Sequence, residues 1–179
     1  MSHSDVKSLV SDIVAREEQS SGVIEPLNRS LGFIVNALAR VMRNELDAVV
    51  KPYGLTPTTW TVLMALCEED RLSQTDLANR VFLDGATTTR ALDLLEARGF
   101  IQRVRDEEDR RVQIIHLTSE GLDLGRKLSL LGKEINQRVL TPLEDEEKGL
   151  LLSFLIQILD HLQTAVQTEN IEGYAADQR

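Results

Sequence analysis

Cysteine occurs once in this sequence, as Cys67, and a lone thiol excludes both an internal disulfide framework and a cysteine-built zinc cluster. Aromatic residues make up only 4% of the 179, so a core must come from Leu, Ile, Val and Ala, which suits packed helices. The hydrophobic share of 42% still suffices for one domain, or a small domain carrying extra helices, and excludes a disordered chain. Positive charge is in deficit, with 20 Lys and Arg against 29 Asp and Glu, a net charge of −9. Taken alone, that balance weighs against nucleic acid, although a field depends on where charges sit and not on their sum. Residues 1–21 lack the apolar core of a signal peptide, and Leu150–Leu159 is too short to span a bilayer and is interrupted by Ser153 and Gln157. A soluble cytoplasmic protein without a membrane partner is expected. His3, His116 and His161 are scattered, no carboxylate joins them at metal-binding spacing, and no glycine-rich phosphate loop is present. No metal, no cofactor and no enzymatic activity are therefore expected.

What is present is helical periodicity. Residues 1–25 read as a flexible arm with one weakly amphipathic stretch, Val6 to Val14. From Leu31 to Val49, apolar residues recur at helical spacing up to Pro52, and Thr56-Pro57 caps and opens the next helix, whose buried face holds Trp60, Leu63, Met64, Leu66 and Cys67. Leu72 stands as a lone apolar residue. Ser73-Gln74-Thr75-Asp76 starts a short helix with Leu77, Ala78 and Val81 inward, and Asp84 caps another that runs to Arg98 and the stop at Gly99. Phe100–Arg105 and Val112–Leu117 are β-prone runs around a charged tip, a hairpin pattern. Thr118 caps a long helix to about Leu140, and Pro142 is expected to begin the last.

That last helix is apolar over most of its circumference: Leu150, Leu151, Phe154, Leu155, Ile158, Leu159 and Leu162 form a wide stripe, widened by Leu152 and Ile156. Such a helix needs cover on more than one side. The simplest cover is a second copy of the chain about a two-fold axis; burial within one monomer is the alternative.

The order helix–helix–helix–hairpin, with two short helices joined by a tight turn, is that of a winged helix-turn-helix. The expected fold is mainly α with a small β-hairpin wing. Residues 26–55 serve as a first dimerisation and linking helix, 56–121 as the DNA-binding region, 122–167 as C-terminal dimerisation helices and 168–179 as a flexible tail. On the helix over 84–98, Thr88, Leu92 and Leu95 share one face, while Thr87 and Arg90 point away, towards a major groove. Ser73 and Gln74 are placed to hold phosphate at a helix start.

The residues themselves then become specific. Asp106-Glu-Glu-Asp109-Arg110-Arg111 followed by Ile115-His-Leu117-Thr118-Ser-Glu-Gly121 resembles the wing signature of the MarR family of regulators. Leu72-Ser73-Gln74 with Leu77-Ala78, then Thr89-Arg90 with Leu95-Glu96 and Gly99-Phe100-Ile101, is similar to that family's helix-turn-helix. The resemblance spans residues 31 to 162 in architecture and 72 to 121 in motif. It implies that Arg111 enters the minor groove, oriented by Asp109, and that a homodimer represses by occupying a promoter. With Ser73, Gln74, Thr87, Thr89, Arg90 and Arg110, these residues form the candidate DNA-binding set. Four carboxylates at the wing tip oppose the phosphates, and Arg103, Arg105 and Arg110 are expected to offset them. Two subunits would present recognition helices about 34–36 Å apart to a palindromic operator.

Members of the family commonly release DNA when a small molecule, often an aromatic carboxylate, binds. Asn36, Arg40 and Arg43 form a polar stripe on the first long helix, and Arg40 and Trp60 are similar in position to an Arg and a Trp of the salicylate-responsive, SlyA-like branch. Met64 and His116 extend this candidate effector site. The competing reading pairs Arg40 and Arg43 with Glu45 or Asp47 and leaves Trp60 in the core. Two further functions stay open: a winged-helix module that binds protein, and a redox-responsive regulator acting through Cys67. Against the second, peroxide-responsive members carry a reactive cysteine early in the first long helix, where this chain reads Leu31-Gly32-Phe33.

Overall fold

The computed structural model describes residues 30–106 and 109–176, with side chains as far as Thr164. The expected N-terminal arm, residues 26–29, Glu107, Glu108 and residues 177–179 lie outside the described residues. The chain divides into two compact units, Met1–Arg43 and Asn44–Arg179, with the division falling inside the first described helix.

That helix, α1 (Leu31–Val50), passes into a 3-10 turn, Lys51–Tyr53, which accommodates Pro52 and ends on Gly54. Helix α2 (Pro57–Glu68) begins with a reciprocal cap: Thr56 Oγ1 accepts from the Thr59 N–H, and Thr59 Oγ1 accepts from the Thr56 N–H. Proline at the first helical position has no N–H to leave unpaired. Strand β1 (Leu72–Ser73) leads into the short α3 (Gln74–Arg80), capped by Ser73, and α4 (Gly85–Ala97) follows, capped by Asp84 through the Thr87 N–H. Strands β2 (Ile101–Arg105) and β3 (Gln113–Leu117) form the hairpin, and Thr118 caps α5 (Ser119–Val139). Helix α6 spans Asp145–Ala176.

The core explains why these elements meet. Val62, Leu63, Leu66, Leu77, Leu92, Leu95, Ile115 and Leu128 are fully buried, so α2, α3, α4, α5 and the hairpin each contribute to one apolar interior. Each such side chain removed from water contributes about 1.5–3 kcal/mol. Glycine is required at two points: Gly99, at φ 74, turns the chain from α4 into β2, and Gly121 lets α5 approach the Phe100 carbonyl where any Cβ would overlap it.

Four sequence expectations change. Leu72 is not isolated: it pairs with Ile115 as a third strand, giving an antiparallel sheet in the order β1-β3-β2. The last helix begins at Asp145 and not at Pro142, because Leu143 N–H turns back onto the Leu140 carbonyl and Glu144 is the capping residue, its N–H bonded to Glu147. The same helix continues to Ala176, beyond residue 167, and no proline or glycine interrupts residues 150–172. The β-prone runs shorten by one residue each, to Ile101 and Gln113, since the Phe100 and Val112 N–H groups bond back into the turns that open the strands, to the Leu95 and Asp109 carbonyls.

Candidate nucleic-acid interface

Helix α4 presents the face that periodicity predicts. Thr88, Ala91, Leu92 and Leu95 are buried, and the Thr88 hydroxyl is satisfied by the Asp84 carbonyl at 2.9 Å. Arg90 is exposed and gives its Nε to the Ala86 carbonyl, at 3.2 Å; among the described residues its terminal nitrogens meet no acceptor. Thr87 is half-buried, and its hydroxyl donates to Asp84 Oδ2 at 2.7 Å, reinforcing the cap. That bond is the main cause holding the Asp84 carboxyl below its ordinary value.

The other predicted polar contacts are held within the protein. Ser73 Oγ donates to Asp76 Oδ2 at 2.6 Å and accepts from the Asp76 N–H, so a carboxylate already occupies the start of α3. Gln74 Nε2 donates to Thr89 Oγ1 at 2.9 Å, and Thr89 Oγ1 donates to the Gly85 carbonyl. Ser73, Gln74, Thr87 and Thr89 thus shape the module, while Arg90 is the residue of this group that faces outward with spare donors.

On the wing, Arg110 and Arg111 are both exposed. Asp109 Oδ1 accepts from the Arg111 main-chain N–H at 2.9 Å, and Asp106 Oδ1 accepts from the Asp109 N–H at 2.9 Å. Asp109 therefore sets the backbone at Arg111, not its guanidinium. Among the described residues no ion pair joins Arg105, Arg110 or Arg111 to a carboxylate. Arg103 departs from its expected part as a counter-charge for the tip: its guanidinium turns back to Asp93 and Glu96 on α4, at 2.6 and 2.7 Å. Sequence reasoning missed those two acids. Their signal was an i, i+3 carboxylate pair on an exposed face just before the wing.

A second feature lies between α2 and α5. An open cavity of about 650 Å³ is lined by Trp60, Met64 and Cys67 from α2 and by Arg126, Lys133 and Asn136 from α5, among others. Trp60 Nε1 is buried and has no hydrogen-bond partner among the described residues. Of the predicted effector residues, Trp60 and Met64 come together here. His116 does not line the cavity; it sits on β3 with Nδ1 4.0 Å from Asp70 Oδ2. Asn36, Arg40 and Arg43 are exposed on α1, and Asn36 Nδ2 donates to the Gly32 carbonyl at 2.8 Å. Glu45 pairs with Arg138 at 2.9 Å. Burial pushes the Cys67 thiol up, which disfavours the thiolate that a peroxide sensor needs.

Comparison with known proteins gives a consistent picture. The family model described as MarR family matches residues 53–112, from the turn before α2 to the tip of the hairpin, just short of β3. The regulator PecS of Dickeya dadantii, a helix-turn-helix transcriptional regulator, is 30% identical over 161 residues, covering 86% of this chain and 94% of PecS. The PcaV transcriptional regulator of Streptomyces coelicolor, solved with its natural ligand, is similar in structure, with a TM-score of 0.69, 27% identity, and coverage of 78% of this chain and 98% of PcaV. The Staphylococcus aureus MepR–DNA complex shares the fold, with a TM-score of 0.69, 24% identity, and coverage of 74% of this chain and 98% of MepR.

Proposed function

Because this chain belongs to the MarR family of helix-turn-helix transcriptional regulators, which are not enzymes, we propose that it is a homodimeric repressor in the cytoplasm, held on a palindromic operator and released by a small anionic ligand. The observation that carries the reading is the outward, donor-rich placement of Arg90 on α4 and of Arg110 and Arg111 on the wing. In this reading Arg90 takes base edges in the major groove and Arg111 the minor groove, where narrow tracts concentrate negative potential. Gln74, Thr89, Ser73 and Thr87 hold α4 and approach phosphate from the flank. The chain's net negative charge then lowers affinity for arbitrary DNA while the local cations serve the operator.

Dimerisation through α1 and α6 is supported by their apolar exposure. Phe33, Ile34 and Leu38 on α1, and Phe154, Leu155 and Leu159 on α6, are 39–56% exposed in the single chain. Effector binding is supported by the cavity between α2 and α5, where Arg126 and Lys133 offer a carboxylate its counter-charge and Trp60 an apolar wall with a spare N–H. Among the described residues no helix is long and apolar enough to cross a membrane.

The testing experiment is a binding titration of the full chain on its own upstream DNA at several salt concentrations. A steep inverse salt dependence is expected, with Arg90→Ala and Arg111→Ala each weakening binding roughly 5- to 100-fold. No binding at low salt to any promoter fragment would leave a protein-binding winged helix as the better account. Aromatic acids that raise the melting temperature should also displace the DNA, and Trp60→Ala should blunt both effects.

A further inference from the structure

The contacts that join β2 to α4 are used by none of the roles assigned so far. Arg103 belongs to the strand that carries the wing, yet its side chain, only 15% exposed, lies back against the recognition helix. Nη1 meets Glu96 Oε2 at 2.7 Å, Nη2 meets Asp93 Oδ1 at 2.6 Å, and Nη2 also reaches the Thr89 carbonyl at 3.4 Å. The Arg103 main-chain N–H donates to the other Glu96 oxygen at 3.2 Å, so one carboxylate grips both the strand and its side chain. On the same turn of α4, the Thr89 hydroxyl accepts from Gln74, which extends the network to α3.

Stability does not account for this arrangement well. Asp93 and Glu96 are 58% and 40% exposed, and pairs that open to water contribute little to folding. Geometry accounts for it better. A planar guanidinium shared between acids one helical turn apart fixes both the separation and the rotation of two elements, which a point charge on a flexible stem does not. The elements it joins are the helix that carries Arg90 and the first strand of the hairpin whose tip carries Arg111. We infer that Arg103 is a positioning residue for DNA recognition: it locks the base of the wing to the recognition helix, so that Arg90 and Arg111 meet neighbouring grooves of one duplex in a fixed register. Arg103 touches no DNA and acts through Arg111. The inference rests on the DNA-binding reading above.

The test uses the full chain and the tightest-binding duplex recovered by in vitro selection with the unaltered protein. Two carboxylates close to DNA should repel it, so Asp93→Asn with Glu96→Gln would tighten binding if charge alone mattered. Positioning requires the opposite, a loss of specific affinity of roughly tenfold. Arg103→Lys, which keeps the charge but loses the fork, should show the same loss with an unchanged slope of affinity against salt. In an Arg111→Ala background these changes should add little, because the contact they position is already gone. Tighter binding by the Asp93→Asn, Glu96→Gln protein, full affinity of Arg103→Lys, or losses fully additive with Arg111→Ala would each overturn the inference while leaving the DNA-binding reading intact. An Arg111→Ala protein that binds normally would overturn the wing's role and this inference with it.

Discussion

Helices α4 and α6 are both rich in leucine, yet they treat that leucine in opposite ways. On α4, Leu92 and Leu95 are 0% exposed and the opposite face carries the exposed Arg90. On α6, Leu155 and Leu159 are 39% and 43% exposed, and apolar residues continue round the helix through Leu152 and Ile156. Helix α4 is thus finished by its own chain: a cap at one end, a glycine turn at the other, and a core behind it. Helix α6 is unfinished, since its leucines are still 37–55% exposed, and covering the exposed part of each would add about 1 kcal/mol that a lone chain leaves unclaimed. The difference separates the helix proposed to read DNA from the one proposed to pair two copies. It also gives the proposed dimer its physical motive.

The sharpest way to break this comparison is to truncate one leucine on each helix. Leu92→Ala should lower unfolding stability by about 2–5 kcal/mol in a urea titration, because a fully buried side chain leaves a cavity behind. Leu155→Ala should instead cost little in the unfolding of a dissociated chain and appear in sedimentation equilibrium as weaker self-association. Equal losses of monomer stability at both sites would mean that α6 is covered by its own chain.

Leu155→Glu combined with Leu159→Glu goes further by placing charge on the exposed stripe. A monomer is expected, with operator affinity reduced on the order of 100-fold, since the two half-sites would no longer be bound as one unit. The circular dichroism spectrum should keep its helical signature, because the core around Leu92 is untouched. A protein that stays dimeric and binds normally would move the interface elsewhere.

How much of this was legible beforehand follows from how local each signal is. Thr56, Ser73, Asp84 and Thr118 all cap the helices the sequence assigns to them, because a cap is decided within four residues. Strand β1 was not legible, since two residues become a strand only through Ile114 and Ile115, some forty positions away. The same holds for Arg103, whose partners sit on another element and whose sequence neighbours suggested the wing tip instead. In the cavity, Trp60 was reached through family resemblance and Met64 only as an extension of that site. Arg126, Lys133 and Asn136 gave no signal, because a cation on an outer helix face looks the same whether or not a hollow lies beside it.

A smaller effect tests the finished side of the comparison, where α5 is pressed against the start of β2. Gly121→Ala places a methyl group on the Phe100 carbonyl, a main-chain atom that cannot swing aside. A loss of about 1–3 kcal/mol is expected from overpacking, with DNA affinity per folded molecule unchanged. Active-site titration against a stoichiometric excess of duplex separates the two quantities. Normal stability would mean that α5 can shift outward, and the module would be less rigid than its packing implies.

The smallest expected effect concerns the cap of α4. Thr87 holds the Asp84 carboxyl below its ordinary value through the side-chain bond, helped by the Thr87 main-chain N–H. A carboxylate that is easier to ionise in the folded state stabilises that state above the pH at which the unfolded chain titrates. The contribution begins to fade as pH falls through the ordinary aspartate range and is gone below the lowered folded value. Asp84→Ser should keep a capping oxygen but remove the titration, so the difference in melting temperature between the two proteins should shrink on acidification and stay constant above neutral pH. Because Asp84 is exposed, the shift should be slight, and salt should diminish it only weakly, since hydrogen bonds and not long-range charge are its main cause. A difference that grows as the pH falls would mean that the Thr87 contacts do not favour the ionised cap, and α4 would then owe its start to packing at Thr88 alone.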